Sequence, residues 1–323
     1  MSRKLILAVV VLLLSCLGVE GYFRTQPLLR AQAVRKLENH TLRILNGVPV
    51  WATKNPQRAD VNNKRCLDTA PDGPDVYLLG DSIFFGVRLS PEKTLGPLLQ
   101  DMLSTELGRS ACVVNLSEPG FGFVNEKAVL EEAMTQHKPK VVVLQIWFNS
   151  ISKFVVLGGN AYNFGRLLTD SYGIPNLGIP VDLNRVLFQS SATWRNISTG
   201  FASTQDAARI STIGKWKMFT ENELEPFRQW LDDQGIQLML AYATSFKTPF
   251  SEGRRVEDEV YAATKSWAAE HKLVEVSLAE VLGQEKTDVV GIDSCCHLSE
   301  YGTQLVADAI APELVRLLDS KAD

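Results

Sequence analysis

The sequence predicts an α/β fold built on a central parallel sheet. Short apolar runs alternate with amphipathic helical patterns from about residue 76 to the C-terminus. The runs lack the polar alternation of half-exposed strands, so they fit strands that are buried on both faces, as in a parallel sheet. A repeated strand and helix at this spacing is typical of crossover connections between parallel strands.

The first of these strands is the apolar run Val76–Leu79, which turn-forming residues bound on both sides. It leads directly into Gly80, Asp81 and Ser82. Ligands of open α/β sheets bind just beyond the carboxyl ends of the strands. A hydroxyl at this position can attack a substrate if a neighbouring base takes its proton. Because Gly-Asp-Ser also makes an ordinary turn, the interpretation depends on the partners that the rest of the chain supplies.

The later elements alternate in type. In chain order the sequence predicts a helix that starts at Ser90-Pro91, a strand over 112–116, a helix over 125–136, a strand over 141–146, a helix from a capping box at Thr220–Glu223 to about 235, a strand over 236–242, a helix through 261–270, a strand over 273–276 and a helix over 300–318. The segment at about 150–217 breaks this order. It predicts an insertion near the mouth of the site, either a substrate cap or a solvated excursion.

The N-terminus has the composition of a targeting or anchoring segment over residues 1–23. Ser2-Arg3-Lys4 precedes an uncharged apolar run from Leu5 to Val19, which is typical of a secretory signal or a short membrane anchor. As a helix the run would rise about 22 Å, less than the ~30 Å hydrocarbon core of a bilayer. Leu13–Cys16 also resembles a bacterial lipoprotein cleavage site. We favour an uncleaved anchor or signal, with the body of the protein outside the cytoplasm and tethered to the membrane, and the sequence leaves open whether the segment is cleaved, lipidated at Cys16 or retained.

Residues 24–73 are mixed, polar and punctuated by proline, and they predict a stalk with a helical stretch near 26–37. The domain proper is expected over 74–323. A length of 323 residues with 45% apolar and 22% charged residues suits a globular α/β protein. The formal net charge of −4 does not indicate binding to nucleic acid.

Cysteine usage is compatible with an oxidising compartment. Apart from Cys16, the chain has an even number of cysteines, namely Cys66, Cys112, Cys295 and Cys296. Their pairing cannot be read from the sequence, and all four could be free. No Cys-x-x-Cys or His-x-x-x-His spacing indicates zinc, so neither a metal nor another cofactor is expected.

A base for Ser82 can be sought by elimination, because the chain has four histidines. His40 lies in the predicted stalk, His137 precedes a strand at its amino end, and His271 closes a surface helix. His297 lies on the loop before the last helix, where Asp293 could orient its ring and stabilise the imidazolium. The alternative is an ordinary loop histidine.

An acyl-transfer site also needs donors for a developing oxyanion. Gly120 offers a backbone N–H in a turn after one predicted strand, and Asn149 offers a side-chain amide after the next. Parallel strands bring their carboxyl ends to one edge, so Ser82, Gly120, Asn149 and His297 are expected in successive loops there.

These residues carry a family resemblance. Gly80-Asp81-Ser82, the block Asn115–Gly120, Asn149 and the block Asp293–Gly302 resemble the ordered motifs of the SGNH/GDSL hydrolase superfamily. The resemblance covers the chain from about residue 76 to its end, apart from the insertion. It implies a flavodoxin-like three-layer α/β/α sandwich and hydrolysis of esters without a cofactor. It also implies that Ser82 is the nucleophile, His297 the base and Asp293 its acid, with an oxyanion hole formed by Ser82, Gly120 and Asn149.

The sequence departs from the family pattern in two places. The third motif is usually Gly-x-Asn-Asp, but here it reads Trp147-Phe148-Asn149-Ser150. The acid usually precedes the histidine by three positions, where this chain has Ser294, so either Asp293 or Ser294 could orient the ring. A thiolate at Cys296 is a further alternative, although packing or a disulfide with Cys66 or Cys112 suits that residue better.

The sequence therefore predicts an extracytoplasmic, membrane-tethered serine esterase. Its expected substrate is a small-molecule, lipid or acylated-carbohydrate ester of the cell envelope or the extracellular space. One alternative is an O-acyltransferase on the same scaffold. Another, from a different class, is a non-catalytic module that binds carbohydrate or envelope material.

Overall fold

The structure is a computed structural model, and it describes the following residues: 15–25, 33–36, 40–46, 48–53, 66–68, 70, 73–147, 150–151, 154–157, 160–163, 174–175, 177–204, 212–243, 252–283, 285–293 and 296–319. The chain divides into two compact units. The N-terminal unit consists of Met1–Glu38 and Ser152–Arg209, and the sheet unit consists of Asn39–Ile151 and Ile210–Asp323.

The strands are β1 (Ala33–Lys36), β2 (His40–Leu45), β3 (Val48–Thr53), β4 (Val76–Leu79), β5 (Val113–Asn115), β6 (Val141–Ile146), β7 (Phe154–Leu157), β8 (Asn160–Asn163), β9 (Gln237–Tyr242) and β10 (Val274–Ser277). Among the described residues, 15–25 are helical, and the numbered helices are α1 (Ser82–Phe85), α2 (Leu95–Glu106), α3 (Phe123–Met134), α4 (Val181–Ser190), α5 (Ala192–Thr204), α6 (Thr212–Phe219), α7 (Glu225–Asp233), α8 (Glu252–Glu270), α9 (Leu278–Leu282), α10 (Thr287–Val290) and α11 (Glu300–Asp319).

The central sheet of the sheet unit is parallel, as the sequence predicts. Within the described residues its strand order is β10-β9-β6-β4-β5, and all of its neighbours pair in parallel. Counted along the chain this is the order 2-1-3-4-5, which is the flavodoxin-like arrangement. The order places β4 between β5 and β6, so the loops that follow these three strands meet at one edge.

Helices cover both faces of the sheet, because successive side chains of a strand point to opposite faces. Val76 and Leu78 pack in the same apolar cluster as side chains of α2 and α11. Tyr77 and Leu79 pack in a second cluster with side chains of α3, α7 and α8. All four residues are buried. The predicted three-layer α/β/α sandwich is therefore confirmed.

The predicted capping box at Thr220–Glu223 is wrong. A helix already runs through α6, and it continues into α7 through a π-helical segment at Thr220–Leu224. The Thr220 hydroxyl donates to the carbonyl oxygen of Trp216 at 2.9 Å, one turn back inside the helix. The Thr220 hydroxyl, which the sequence presents as a cap, is therefore hydrogen-bonded inside the helix.

The N-terminal unit contains a sheet of order β1-β8-β7, in which both pairs are antiparallel. Residues 33–36 therefore form a strand, whereas the sequence predicts a helical stretch over 26–37. The remaining residues of that stretch lie outside the described part of the chain. The segment predicted as an irregular insertion contains β7, β8, α4 and α5, and its role as a substrate cap stays a prediction. Among the described residues, no helix is both long and apolar enough to cross a bilayer.

The hairpin of β2 and β3 lies within the interval 24–73 that the sequence predicts as a stalk. Trp51 of this hairpin is buried to 1% exposure. Arg43 forms an ion pair with Glu132 of α3 at 2.8 Å, and Asn46 donates to Glu131 at 3.0 Å. This part of the interval is a folded hairpin that packs on α3 within the sheet unit, and it is not a linker.

A disulfide joins Cys66 to Cys112, which lies beside the first residue of β5. It ties the chain before β4 to the edge strand of the sheet and closes a sequence separation of 46 residues. Cross-linking a loop of this length restricts the unfolded chain and stabilises the folded one.

Replacing both cysteines by serine should lower the free energy of unfolding by about 4 kcal/mol, the loss that the loop-closure relation gives for this separation. Denaturant unfolding of the Cys66→Ser/Cys112→Ser variant measures the effect. Cys16→Ser is the matched control, because Cys16 is free and exposed. Equal stabilities for the double variant and the control would contradict a structural role for the bond.

Candidate active site

The turn that carries Ser82, the predicted nucleophile, starts where β4 ends. A Cβ on Gly80 would lie 2.6 Å from Oε1 of Gln145, so a larger residue would displace the Gln145 side chain from its present position. Asp81 then caps α1, and its Oδ1 accepts from the Ile83 N–H at 2.9 Å. Ser82 is the first residue of this short helix and is partly exposed.

The structure brings Ser82, His297 and Asp293 into one chain of hydrogen bonds. Ser82 Oγ lies 3.0 Å from Nε2 of His297. Nδ1 of the same ring is hydrogen-bonded to Oδ2 of Asp293. Asp293 Oδ1 accepts from the backbone N–H groups of Cys296 and His297 at 3.1 and 3.3 Å. A nucleophile, a base and an orienting acid require this connectivity.

Asp293 thus reaches the ring although it stands four residues before it. Its Oδ1 binds the backbone of the loop, which turns the other carboxylate oxygen toward the imidazole. Ser294, the alternative orienting group, lies outside the described residues.

The loop that carries His297 is fixed at its base. Ile292 N donates to His297 O at 2.9 Å, and Ser299 N donates to Val290 O at 2.8 Å. A Cβ on Gly302 would meet Val290 O at 2.2 Å. Only glycine therefore allows α11 to approach α10 closely enough to hold the loop.

Two of the predicted oxyanion donors lie in the described part of the chain. Gly120 has φ +82°, a left-handed conformation that favours glycine. Within the described residues, no other group accepts from the backbone N–H of Gly120 or of Ser82. Both residues are partly exposed, and their role as oxyanion donors stays a prediction.

Asn149 and Phe148 lie outside the described residues, and the role of Asn149 stays a prediction. The residues that flank them are joined to each other. Ser150 N donates to Trp147 O at 2.9 Å, and Trp147 N donates to Ser150 Oγ at 3.1 Å. Phe123 N donates to Ser150 O at 3.0 Å, which ties this segment to the start of α3.

Trp51 supports the Gly120 turn, and sequence reasoning missed it. Its indole Nε1–H donates to the carbonyl oxygen of Pro119 at 3.1 Å. Its ring packs edge-on against Phe121, with centroids 5.3 Å apart. Trp51 therefore contacts both neighbours of Gly120. The signal in the sequence was the short run Val48–Thr53, which is rich in apolar and β-branched residues and is typical of a strand.

Asp81 is buried, and several N–H groups surround its carboxylate. Oδ1 accepts from Gln145 Nε2 at 3.0 Å as well as from Ile83 N, and Oδ2 accepts from Trp147 Nε1 at 3.1 Å. Oε1 of Gln145 in turn accepts from the N–H groups of Asp81 and Phe84, both at 3.3 Å. Burial raises the pKa of Asp81, and the hydrogen bonds from Ile83, Gln145 and Trp147 oppose that rise.

Glu126 is a second buried acid, in the first turn of α3. It is 2% exposed, and its Oε2 has no hydrogen-bond partner among the described residues. Burial, together with the nearby charge of Asp81, raises the pKa of Glu126 well above its ordinary value. Its side chain therefore keeps a proton at a pH where an exposed glutamate is ionised.

Two other histidines have local roles within the sheet unit. The carbonyl oxygen of His137 accepts from the Tyr77 hydroxyl at 3.1 Å. His271 pairs with Glu225 at 2.8 Å and packs on the ring of Trp267. His40 is in β2. Of the four, His297 is the one bonded to Ser82.

The disulfides exclude two alternatives that the sequence left open for Cys296, namely a thiolate and a bond to Cys66 or Cys112. Cys66 and Cys112 are bonded to each other, so neither pairs with Cys296. Cys296 is itself disulfide-bonded, and it offers no thiolate beside His297. Cys295 lies outside the described residues.

The hydrogen bond from Trp147 Nε1 to Asp81 should fix the position of the turn that carries Ser82. Trp147→Phe keeps an aromatic ring but removes the N–H, and a hydrogen bond to a charged group contributes about 1.5–3 kcal/mol. We expect kcat on an ester substrate to fall while KM changes little. In a double-mutant cycle with Asp81→Asn, the two losses should be less than additive. Strict additivity would show that the contact does not position the turn.

The pH dependence of stability should report the buried Glu126. Its pKa is raised in the folded state, so the folded protein binds more protons than the unfolded chain above the ordinary value of 4.5. The free energy of unfolding therefore falls as the pH rises through this range. Glu126→Gln should remove this loss, so that at about pH 8 it is more stable than the parent by more than about 1 kcal/mol.

At about pH 4 the Glu126→Gln variant and the parent should differ little, because both side chains are then neutral. Glu106→Gln, at an exposed position of α2, is the matched control and should follow the parent at every pH. The same pH dependence in the Glu126→Gln variant as in the parent would contradict the assignment.

No protein-family model matches the sequence, and no curated protein matches it at a significant level. Solved structures of several hydrolases are similar to it. An alpha/beta hydrolase enzyme from the metagenome of Lake Arreo, Spain, is 14% identical with a TM-score of 0.48, over 76% of this chain and 96% of that one. A lipase/acylhydrolase from Enterococcus faecalis is 18% identical with a TM-score of 0.44, over 75% and 96%.

A member of the lipolytic protein G-D-S-L family from Veillonella parvula is 12% identical with a TM-score of 0.41, over 73% of this chain and 96% of that one. At these identities the likeness concerns the fold. The chain is thus similar to lipolytic proteins and esterases of known structure, while the case for what it does rests on its own Ser82, His297 and Asp293.

Proposed function

We propose that this protein is a serine esterase that works through an acyl-enzyme on Ser82. The observation that carries the proposal is the hydrogen-bonded chain from Ser82 Oγ through His297 to Asp293. A serine hydroxyl is a weak nucleophile unless a base takes its proton, and an oriented imidazole is the group that does so in acyl transfer.

The proposed reaction starts with the ring of His297 in one tautomer. Asp293 accepts from Nδ1–H, which leaves the lone pair of Nε2 facing the Ser82 hydroxyl. Nε2 takes the hydroxyl proton while Oγ attacks the ester carbonyl carbon, and Asp293 stabilises the imidazolium that forms.

The carbonyl oxygen then becomes an oxyanion, and N–H groups aimed at it lower the barrier. The backbone donors of Ser82 and Gly120 supply two of these contacts, and the amide of Asn149 supplies a third. The imidazolium gives its proton to the alcohol oxygen as the ester C–O bond breaks. Water repeats the sequence on the acyl-enzyme, which releases the acid and restores Ser82.

We further propose that the enzyme acts outside the cytoplasm on an ester of a lipid or an acylated carbohydrate. The apolar run Leu5–Val19 behind a basic pair supports export or anchoring. The bond between Cys66 and Cys112 supports the same location, because structural disulfides persist in oxidising compartments.

A fluorophosphonate probe and short p-nitrophenyl esters test the proposal. The probe should attach to Ser82, as located by mass spectrometry, and the esters should turn over. Ser82→Ala should lose both signals, while Ser90→Ala should keep both. Asp293→Asn should retain the nucleophile but react up to about 10⁴-fold more slowly, because the ring loses its orienting carboxylate.

Two outcomes would count against an esterase. A folded protein that takes no label would favour a binding module. Labelling at Ser82 without turnover of any ester would favour an acyltransferase whose acceptor is missing.

A further inference from the structure

Helix α4 of the N-terminal unit has an unusual distribution of side chains. Leu183 and Val186, one helical turn apart, are 50% and 57% exposed. On the opposite side of the helix Asn184 and Phe188 are buried. A helix on a solvated surface normally buries its branched aliphatic residues and exposes its asparagine.

The inward direction of Asn184 is fixed by hydrogen bonds. Its Nδ2 donates to Pro175 O at 3.0 Å, and its Oδ1 accepts from the indole N–H of Trp194 at 3.1 Å. Trp194 belongs to α5, which follows α4 directly. The orientation of α4 is therefore set by specific partners, and Leu183 and Val186 must face outward as long as those bonds hold.

The end of the apolar N-terminal run lies on the same unit. Residues 15–25 are helical, and Glu20 among them accepts from Ser191 Oγ, Ala192 N and Thr193 N at 2.9, 2.7 and 3.0 Å. These donors lie at the junction of α4 and α5, where Arg24 also donates to the carbonyl oxygen of Ser190 at 3.5 Å.

This N-terminal helix also exposes apolar side chains, with Leu17 at 67% and Tyr22 at 61%. Ten uncharged apolar residues, Leu5–Leu14, precede it in the sequence. A segment of that composition is typical of a membrane anchor, and the described helix that follows it in the sequence is bonded to the end of α4 through Glu20. The exposed side chains of α4 are therefore held beside the point at which the chain would enter a bilayer.

We propose that α4 is an interfacial helix, whose Leu183 and Val186 insert into the headgroup region of a phospholipid bilayer beside the N-terminal segment. Arginine side chains of the same unit suit this position, although Arg24 also pairs with Glu20 at 3.1 Å and α4 carries the exposed Asp182. Arg185 lies on α4 itself and is half-buried, while Arg24 is exposed on the N-terminal helix. Interfacial helices combine an apolar stripe with flanking basic residues that attract anionic headgroups. The inference is independent of the esterase proposal, since Ser82→Ala should bind vesicles as the parent does.

The test uses the full chain with an environment-sensitive fluorophore at position 186, introduced as Val186→Cys in a Cys16→Ser background. Vesicles of phosphatidylethanolamine and phosphatidylglycerol are then added, with and without a lipid-borne quencher. We expect a blue shift and quenching at position 186. The same label at Val289→Cys, an apolar exposed position of the sheet unit, should show neither. The Cys16→Ser parent under the same labelling measures the background.

Substitution of the stripe gives a second readout that does not depend on a label. Leu183→Ser/Val186→Ser should weaken vesicle partition at least about tenfold, because two aliphatic side chains no longer enter the lipid. Val289→Ser should leave partition unchanged. A circular dichroism spectrum and a denaturant midpoint equal to those of the parent would show that the variant is folded.

Three outcomes would overturn the proposal. One is equal fluorescence at positions 186 and 289 on vesicles. Another is unchanged partition of the folded double variant. The third is a blue shift at position 186 without lipid, accompanied by a doubled mass in solution, which would assign the stripe to contact between two copies of this chain.

Discussion

The arrangement of the site depends on one buried carboxylate, that of Asp81. A charge removed from water at the end of β4 is very costly unless donors surround it. Here the backbone N–H of Ile83 and the side chains of Gln145 and Trp147 supply those donors. Gln145 belongs to β6, the neighbour of β4 in the sheet. The pairing of β4 with β6 therefore places Gln145 where it can bind Asp81, the residue before Ser82.

The base reaches this turn from the far end of the chain. His297 follows Ser82 by 215 residues, and the loop that carries it is fixed by bonds between Ile292 and His297 and between Val290 and Ser299. Side chains of α11 pack in the same apolar cluster as those of β4 and α2. Gly302 allows α11 to approach Val290 closely. Packing on one face of the sheet therefore determines the position of His297, the proposed base, relative to Ser82, the proposed nucleophile.

The parts that the sequence predicted well are those whose cause is local. Four consecutive apolar residues at 76–79 require burial on both faces, and the elimination among four histidines needs only their neighbours. The predictions failed where a partner that is distant in the sequence determines the local structure. Residues 33–36 are a strand because they pair with 160–163, and Trp51 is buried because Phe121 and Pro119 lie opposite it. At Thr220 the local sequence resembles a helix cap, but the residue lies inside a continuous helix that begins before it.

The two departures from the Gly-x-Asn-Asp motif acquire a physical explanation in these contacts. Trp147 stands where that motif has glycine, and its indole N–H is one of the donors to Asp81. Ser150 stands where it has aspartate, and its hydroxyl accepts from Trp147 N while its carbonyl accepts from Phe123 N. A buried carboxylate must be satisfied in any folded scaffold, and these contacts keep the turn that carries Ser82 in place. Because Trp147 binds Asp81 and Ser150 binds the backbone of Trp147, both departures fit the turn that carries Ser82, and they are compatible with the esterase that we propose.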